Sequence, residues 1–203
     1  MKLSKAFTLA EVLIVVAIIG VVASLTIPNI IQNHRKHVVE TRLKRFYVDI
    51  NEAVVNAEMK YGSSKTWKIT SAPTHFNYIK NFLDTKSVYT DTSTGIERIV
   101  AELKNGSAIV FYGNDISFYP IAKDVKKGKR HFQFAHYPNY YEFLKSSCPN
   151  SLYLDYYDTT VKPYLGMAFL CGTFGLENAT TSYGAYIVWQ NNWKIPKDYP
   201  FEY

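Results

Sequence analysis

The sequence predicts an α+β fold in which one long N-terminal helix packs on an antiparallel β-sheet domain. Three observations predict it. Residues 12–33 form an uncharged and largely apolar run, an amphipathic helical pattern follows it to about residue 61, and β-prone runs separated by turn residues recur in residues 62–203. An antiparallel sheet buries one face against a covering layer, and the amphipathic part of the helix can supply that layer.

The first half of the predicted helix is long enough to cross a membrane. Its 22 uncharged residues, 12–33, extend roughly 33 Å at about 1.5 Å per residue, which matches the thickness of a hydrocarbon core. Glu11 stands at the head of this run. Because a carboxylate in lipid is costly, we expect Glu11 either at the interface or beside a dedicated cation.

The residues before the apolar run have the composition of a processing signal in an inverted order. A secretory signal places its cleavage site after the apolar core. Here a short basic leader with a small final residue precedes the core, Met1-Lys2-Leu3-Ser4-Lys5-Ala6. A cut after Ala6 would therefore leave the apolar segment on the mature chain.

Leader, junction, Glu11 and Pro28 together resemble the type IV pilin superfamily, which includes the type II secretion pseudopilins. Its members carry a basic leader, a small residue that is usually glycine, and then Phe-Thr-Leu-x-Glu and an apolar helix, as in Phe7-Thr8-Leu9-Ala10-Glu11. The resemblance covers about the first 60 residues. It implies a pilin-like fold, with Ala6 before the cut in place of glycine, Phe7 as the N-methylated terminus and Glu11 as the fifth mature residue.

The same resemblance implies a location and a set of partners. A prepilin peptidase would process the chain, the bacterial cytoplasmic membrane would hold it as a single-pass protein, and an inner-membrane platform would assemble it with other pilins. Charge counting opposes an outside domain, because five basic residues follow the apolar run and only two, Lys2 and Lys5, precede it: Arg35, Lys36, Arg42, Lys44 and Arg45. Long domains translocate largely regardless of such charges, so we place the domain outside.

The second half of the helix shows an apolar stripe at spacings of three and four, formed by Val39, Leu43, Phe46, Ile50, Ala53, Val54 and Ala57. This spacing is typical of an amphipathic helix, whose charged residues, with Glu40 paired to Lys44, occupy the other face. Gly62 ends the helix at about Tyr61.

A bend is expected within the apolar half, between Gly20 and Pro28. Proline lacks an N–H group and clashes with the preceding turn, so it bends or locally unwinds a helix. The alternative is that Pro28 marks the end of the membrane helix. The predicted organisation is a cleaved leader (1–6), a helix (7–61, with 7–31 in the membrane or filament core and 32–61 amphipathic), and an extracytoplasmic α+β domain (62–203).

The β-sheet prediction starts from a hairpin. Residues 95–103 and 108–112 are β-prone, and Asn105-Gly106 between them is a strong hairpin signal. Further strands are predicted at 116–121, 131–134, 167–170 and 185–189, and a short helix at 76–83.

The two cysteines, Cys148 and Cys171, both fall in the predicted outer domain. An even number outside the cytoplasm favours a disulfide, and pilin-like proteins often staple their C-terminal region in this way. Closing a loop of about 23 residues would stabilise the fold by roughly 3 kcal/mol. Two buried free thiols remain the alternative.

The sequence contains no recognisable catalytic motif, so no catalytic residue, cofactor or metal is predicted. Glycine-rich phosphate loops, a nucleophile elbow and a zinc-protease motif are absent from the sequence. His34 and His37 share a helix face but have no nearby cysteine or carboxylate to complete a metal set. Asp155 and Asp158 could offer two oxygens to Ca²⁺, although a solvated turn is the simpler interpretation.

The predicted function is a non-enzymatic, structural subunit of a type IV pilus or type II secretion pseudopilus. In this hypothesis Glu11 leaves lipid for the filament core and pairs with the α-amino group of Phe7 on a neighbouring subunit. One rival is a single-pass membrane-anchored receptor or enzyme of unknown activity.

The second rival is a DNA-binding competence or uptake pilin. The net charge of +6 falls to +4 once Lys2 and Lys5 leave (21 basic minus 17 acidic). A basic loop beside Phe132 and Phe134 could bind a nucleic acid through Lys123, Lys126, Lys127, Lys129 and Arg130. A solvated loop ahead of an edge strand is the commoner explanation and is preferred.

Overall fold

The computed structural model describes residues 8–128, 131–136, 167–169, 182–183 and 185–197. These residues confirm the α+β fold and its pilin-like order. The helices are α1 (Leu9–Tyr61), α2 (Ala72–Ile79) and α3 (Ala185–Gln190). The strands are β1 (Thr85–Asp91), β2 (Arg98–Leu103), β3 (Ala108–Tyr112), β4 (Asp115–Tyr119), β5 (His131–His136), β6 (Met167–Phe169) and β7 (Ser182–Tyr183).

Helix α1 is shared between two compact units, one reaching to Val38 and the other starting at Val39. In the first unit the large apolar side chains from Leu9 to Ile31 are exposed, from 45% at Ile31 to 78% at Leu9, and Val38 at its end is half-buried. In the second unit the predicted stripe is confirmed, because all seven of its residues are at most 2% exposed. The period of three and four therefore identified the face of α1 that the sheet covers.

The C-terminal end of α1 lies where the sequence predicts it. Gly62 has a φ of +83°, and its N–H donates to the carbonyl of Glu58 over 2.9 Å. Glycine takes this left-handed conformation without a steric penalty, so it ends the helix cleanly. The side chain of Glu58 then accepts a hydrogen bond of 2.7 Å from the N–H of Ser64, which fixes the chain as it leaves the helix.

Strands β1 to β5 form an antiparallel meander in the order β1-β2-β3-β4-β5. Strand β5 also pairs with β6, which runs antiparallel to it, and with β7, which runs parallel to it. The predicted hairpin is confirmed, since β2 pairs with β3 across Asn105-Gly106. Gly106 has a φ of +84° there, and Asn105 Oδ1 accepts a hydrogen bond from the N–H of Ser107 at 3.0 Å.

The core lies between the amphipathic half of α1 and one face of the sheet. Phe46 of α1 stacks on Phe118 of β4, with ring centroids 4.3 Å apart, and lies 5.0 Å from the ring of Phe134 of β5. Buried side chains of the central strands alternate between this face and the opposite one, which carries a smaller cluster around Val100 and Val110. The sheet is therefore buried on both faces at its centre.

The strand predicted at 185–189 is wrong, because this segment forms α3. Ala185 and Val188 are both fully buried, and residues three apart share a face of a helix but not of a strand. A short apolar run can form either structure, so the sequence pattern could not decide between them.

The remaining element predictions need smaller corrections. The helix predicted at 76–83 begins earlier, at Ala72, where Ser71 and Thr74 form a capping box, and it ends at Ile79. Strand β1 was not predicted, and β4 ends at Tyr119. Residues 20–28 of α1 are helical throughout with Pro28 inside, so local unwinding is not observed, and a bend of the axis stays a prediction. Cys148 and Cys171 lie outside the described residues.

Candidate functional site

The N-terminal end of α1 is closed by a reciprocal cap that the sequence analysis missed. Thr8 donates to Glu11 Oε2 twice, from its backbone N–H at 2.8 Å and from its hydroxyl at 2.9 Å. In return the N–H of Glu11 donates to Thr8 Oγ1 at 3.2 Å. This is a capping box, which satisfies N–H groups that have no partner inside the helix. The spacing Thr-x-x-Glu was the signal that could have predicted it.

The cap shows what Glu11 does within its own chain. Both hydrogen bonds from Thr8 reach Oε2, and among the described residues none donates to Oε1. A capping box needs only an acceptor oxygen, because glutamine serves at this position as well as glutamate. Helix capping by itself therefore does not account for a negative charge at the head of an apolar helix.

The residues that would complete this site are only partly described. Ala6 and Phe7, the predicted cleavage junction and mature terminus, lie outside the described residues. Gly20 lies in open space, since an added Cβ would meet no atom within 4 Å. The roles of Ala6, Phe7, Glu11, Gly20 and Pro28 thus stay predictions.

Helix α1 is long and apolar enough to cross a membrane by length and composition, with a mean hydropathy of 2.6 over its most apolar window. None of that window is buried by the part of the chain that the structure describes. An apolar surface of this extent marks a region that binds lipid or protein. The described residues therefore leave this apolar segment of α1 uncovered.

Glu40, the second residue of the second unit, is buried, whereas the sequence predicted it on the polar face. Its Oε1 accepts a hydrogen bond from the N–H of Ile195 at 2.9 Å, and its Oε2 accepts one from Lys194 Nζ at 3.0 Å. The side chain of Glu40 is 7% exposed, and that of Lys194 is 59% exposed. Buried carboxylates require such partners. Glu40 thus fastens the segment after α3 to α1, and the expected pairing with Lys44 is replaced by this contact.

Two buried histidines also meet in the second unit. His75 Nδ1 lies 2.8 Å from the carbonyl oxygen of Gly113, and His75 Nε2 lies 2.9 Å from His136 Nδ1. Because a carbonyl only accepts, His75 donates from Nδ1 and accepts at Nε2 from His136. Burial lowers the pKa of His75 to about 4, so this histidine is neutral at physiological pH.

The described residues do not assemble a metal site. No group of three or more histidine, cysteine, aspartate or glutamate side chains comes together in the described ranges. His34 and His37, which the sequence analysis considered and set aside, are both exposed on α1.

The structure describes part of the basic loop that was considered as an alternative nucleic-acid site. Lys123, Lys126 and Lys127 are exposed, and Lys129 and Arg130 lie outside the described residues. Phe132 and Phe134, the proposed stacking groups, are fully buried in the core. Buried rings cannot stack on bases, so the nucleic-acid alternative loses its stacking groups, and the exposed lysines fit the preferred interpretation of a solvated loop.

Comparison with known protein families places these features in a class. Residues 1–27 match the model of the prokaryotic N-terminal methylation motif, which is the prepilin-type cleavage signal of type IV pilins and pseudopilins. The protein is thus of the prepilin-processed, pilin-like class. Residues 29–203 match the model of a family of unknown function (DUF6613), and the chain belongs to that family. No curated protein and no solved structure matches the chain.

Proposed function

We propose that the protein is a structural subunit of a type IV pilus or a type II secretion pseudopilus. The observation that carries the proposal is that two features fall in one segment: the methylation motif at residues 1–27 overlaps residues 9–31 of α1, whose large apolar side chains are all exposed. Processing signals of this kind leave the apolar helix on the mature chain, where it can serve first as an anchor and then as an assembly surface.

In this proposal the chain is cleaved after Ala6, methylated at Phe7 and held in the bacterial cytoplasmic membrane. The exposed half of α1 lies in lipid, with the second unit outside. Prepilin peptidase and an inner-membrane assembly platform are its partners before assembly, and other pilins are its partners in the filament. Burial of apolar side chains between neighbouring helices supplies most of the assembly energy.

Glu11 sets the register of assembly in this mechanism. In the single subunit its Oε2 is held by Thr8, which leaves the negative charge at the start of the apolar segment. In a filament that charge is buried, and the nearest available cation in a stack of such helices is the α-amino group of Phe7 on a neighbouring subunit. Breaking a buried ion pair by removing one partner costs about 3–5 kcal/mol, so a misaligned neighbour would be rejected.

The intact mass of the protein extracted from its native membrane tests the proposal. We expect a chain that begins at Phe7 and carries one added methyl group. A chain that retains Met1, or one cut after the apolar run, would contradict the assignment to a prepilin-processed filament, because in neither case would the methylated apolar terminus exist. Deletion of the prepilin peptidase in the same strain is the matched control, and it should leave the full-length chain.

A further inference from the structure

The turn between β2 and β3 contains a reactive pair of residues. Asn105 is followed by Gly106, and the sequence contains an Asn-Gly pair only here. Both residues are exposed at the tip of the hairpin. Because glycine has no Cβ to hinder its own nitrogen, the nitrogen of Gly106 can approach the side-chain amide of Asn105 closely. The pair that forms the turn is therefore also one that can react with itself.

Two donors from a single residue hold the side-chain oxygen of Asn105. The N–H of Ser107 donates to Asn105 Oδ1 at 3.0 Å, and the hydroxyl of Ser107 donates to the same oxygen at 2.6 Å. A backbone N–H only donates, so the atom that faces it is the oxygen of the amide and not its nitrogen. Ser107 is fully buried. Two donors fixed on one carbonyl oxygen stabilise the negative charge that forms there when a nucleophile adds to the carbon.

A cation lies against the next residue of the turn. The guanidinium of Arg42, from α1, packs on Gly106, since a Cβ built on Gly106 would lie 3.2 Å from Arg42 Nη2. Arg42 Nη1 donates to the carbonyl oxygen of Pro120 at 2.6 Å, which holds the guanidinium in place. A fixed positive charge at this position favours negative charge on the atoms of the turn, including the nitrogen of Gly106 once it loses its proton.

The fold requires a glycine after Asn105. The φ of Gly106 is +84°, a conformation that residues with a side chain rarely adopt, and an added Cβ would crowd Arg42. The carbonyl oxygen of Gly106 also accepts a hydrogen bond of 2.9 Å from the N–H of Ala122. A less reactive neighbour for Asn105 would therefore disturb both the turn and its contacts.

One hydrogen bond opposes the reaction. The N–H of Gly106 donates to the carbonyl oxygen of Leu103 at 3.0 Å, and this bond must open before the nitrogen can lose its proton. Exposed backbone groups at loop tips open locally at a much smaller free-energy cost than global unfolding. The bond from Gly106 to Leu103 therefore slows the reaction without preventing it.

From this arrangement we propose that Asn105 is a site of spontaneous deamidation in the folded subunit. Hydroxide or water takes the proton of the Gly106 N–H, and the nitrogen adds to Cγ of Asn105 while Ser107 stabilises the charge on Oδ1. The bond between Cγ and Nδ2 then breaks, and ammonia leaves with a proton from solvent. Water opens the resulting cyclic imide at either carbonyl, which gives aspartate or isoaspartate. No oxidant, reductant or enzyme is required.

The product changes the turn next to α1. Either product places a carboxylate one residue from the contact between Gly106 and Arg42. Isoaspartate also adds one methylene group to the main chain between β2 and β3. Because the reaction needs only water and the folded turn, the converted fraction of Asn105 records the time since the subunit folded, whatever assembly the subunit joins.

The test incubates the full-length chain in a neutral detergent at a mildly alkaline pH. Mass spectrometry of its peptides follows the change from amide to acid with time, and electron-transfer fragmentation separates aspartate from isoaspartate. Asn105 should be lost with first-order kinetics and give both products. Asn114 is the internal control, because its Nδ2 donates to the carbonyl oxygen of His136 at 2.8 Å and its next residue, Asp115, has a side chain. It should keep its amide.

Ser107→Ala isolates the contribution of the turn. It removes the hydroxyl donor and keeps the N–H donor, so the loss of the Asn105 amide should be about 5-fold slower, as expected for one hydrogen bond. In concentrated urea, where the contacts of the turn are absent, the wild type and Ser107→Ala should react at equal rates. A difference that persists in urea would overturn the proposal, as would equal native rates or a faster reaction in Ser107→Ala.

Asp115→Gly provides a matched second Asn-Gly pair in the same chain. The amide of Asn114 is held through its nitrogen, whereas that of Asn105 is held through its oxygen, so Asn114 in this variant should react more slowly than Asn105. Equal native rates would show that the dipeptide alone sets the reactivity and would overturn the role of the turn. Retention of the Asn105 amide in the folded wild type, with its loss in urea, would overturn the site. None of these results bears on the filament proposal.

Discussion

The two halves of α1 differ in what surrounds them, although the chain is helical in both. In the first unit, which ends at Val38, the large apolar side chains from Leu9 to Ile31 are exposed. From Val39 onward, the apolar side chains of one face are buried in the core of the second unit. Most helix stability in proteins comes from packing of an apolar face rather than from local propensity. The second half is therefore stabilised by its own chain, and under the proposed function the first half is stabilised by lipid or by neighbouring subunits.

The carboxylates of the two halves show the same difference. Glu40 is buried and receives hydrogen bonds from residues more than 150 positions away in sequence. Glu11 is exposed, and its hydrogen bonds come from Thr8, three residues away. Both carboxylate oxygens of Glu40 accept hydrogen bonds within the subunit. The charge of Glu11, by contrast, has no cationic partner among the described residues. We expect substitutions at these two residues to fail in different assays.

The largest expected effect is at Glu11. In a strain without wild-type subunits, Glu11→Ala and Glu11→Gln should both abolish filaments, while processed protein still accumulates in the membrane. Glutamine preserves the acceptor that the capping box needs but not the charge that pairs with the Phe7 amine. The loss of about 3–5 kcal/mol at each subunit contact should be too large for assembly to tolerate.

Thr8→Val is the matched control for the cap. It removes the hydroxyl, which costs about 1 kcal/mol of helix stability, and keeps the charge of Glu11, so filaments should persist at reduced yield. Counting filaments by electron microscopy and blotting membrane fractions separates these outcomes. Normal filament yield from Glu11→Gln would show that the carboxylate only caps the helix.

Acid should lower the free energy of unfolding of the second unit and leave the helical structure of the first unit unchanged. The pKa of His75 is lowered to about 4 by burial, against about 6.5 in an unfolded chain. The unfolded state therefore binds more protons between these values, and stability falls as pH falls from about 6.5 to 4. At 1.36 kcal/mol per pKa unit the loss approaches about 3 kcal/mol.

Urea unfolding of the detergent-solubilised chain at pH 7 and pH 4.5 measures this loss. His75→Phe should flatten the dependence, even though it lowers stability at pH 7 by leaving Gly113 and His136 without their hydrogen bonds. The apolar helix should keep its circular dichroism in detergent at both values. An unchanged pH dependence in His75→Phe would mean that other groups control acid stability.

The next effect in size is at Glu40. Glu40→Ala removes the acceptor for the buried N–H of Ile195 and should lower the free energy of unfolding of the second unit by about 2 kcal/mol. Glu40→Gln retains an acceptor and should lower it by about 1 kcal/mol. Lys194→Gln should change it least, because the ammonium is more than half exposed and solvent screens the pair. Equal losses in Glu40→Ala, Glu40→Gln and Lys194→Gln would show that the charge pair, not the hydrogen bond from Ile195, holds the contact.

The smallest effect compares one glycine from each half. Gly62 is in the left-handed region, so Gly62→Ala should destabilise the second unit by about 1 kcal/mol. Gly20 lies inside the helix with no atom within 4 Å of a new Cβ, so Gly20→Ala should instead stabilise the helix by about 0.8 kcal/mol. Thermal unfolding measures the first change and helicity in detergent the second. Loss of filaments in Gly20→Ala with normal helicity would show that this glycine is needed for packing or bending.

Local signals carried most of the successful sequence predictions. The stripe on α1, the stop at Gly62 and the hairpin at Asn105-Gly106 each depend on residues within a few positions of one another, and each was confirmed. Strand β1 was missed because its exposed side chains give little alternation of apolar and polar residues. Helix α3 was misassigned because its apolar run is too short to show a period.

The polar contacts were less accessible to sequence reasoning. His75 and His136 are 61 residues apart, and Glu40 and Ile195 are 155 residues apart. No local pattern links residues at such distances, so both contacts depend on tertiary packing. The cap of Thr8 and Glu11 spans only three residues and was available in the sequence. The Cys148–Cys171 disulfide stays a prediction.

The contact between Glu40 and the segment after α3 has a consequence for biosynthesis. Lys194 follows Glu40 by 154 residues, so at about 5–20 residues per second roughly 8–30 s pass between their syntheses. Throughout that interval α1 exists while the donors for its carboxylate do not, and Glu40 stays hydrated because burial without partners is unfavourable. A chain that ends before residue 194 therefore lacks both donors for Glu40, and its α1 docks on the sheet with a carboxylate that has lost these partners, which should make the truncated chain less stable.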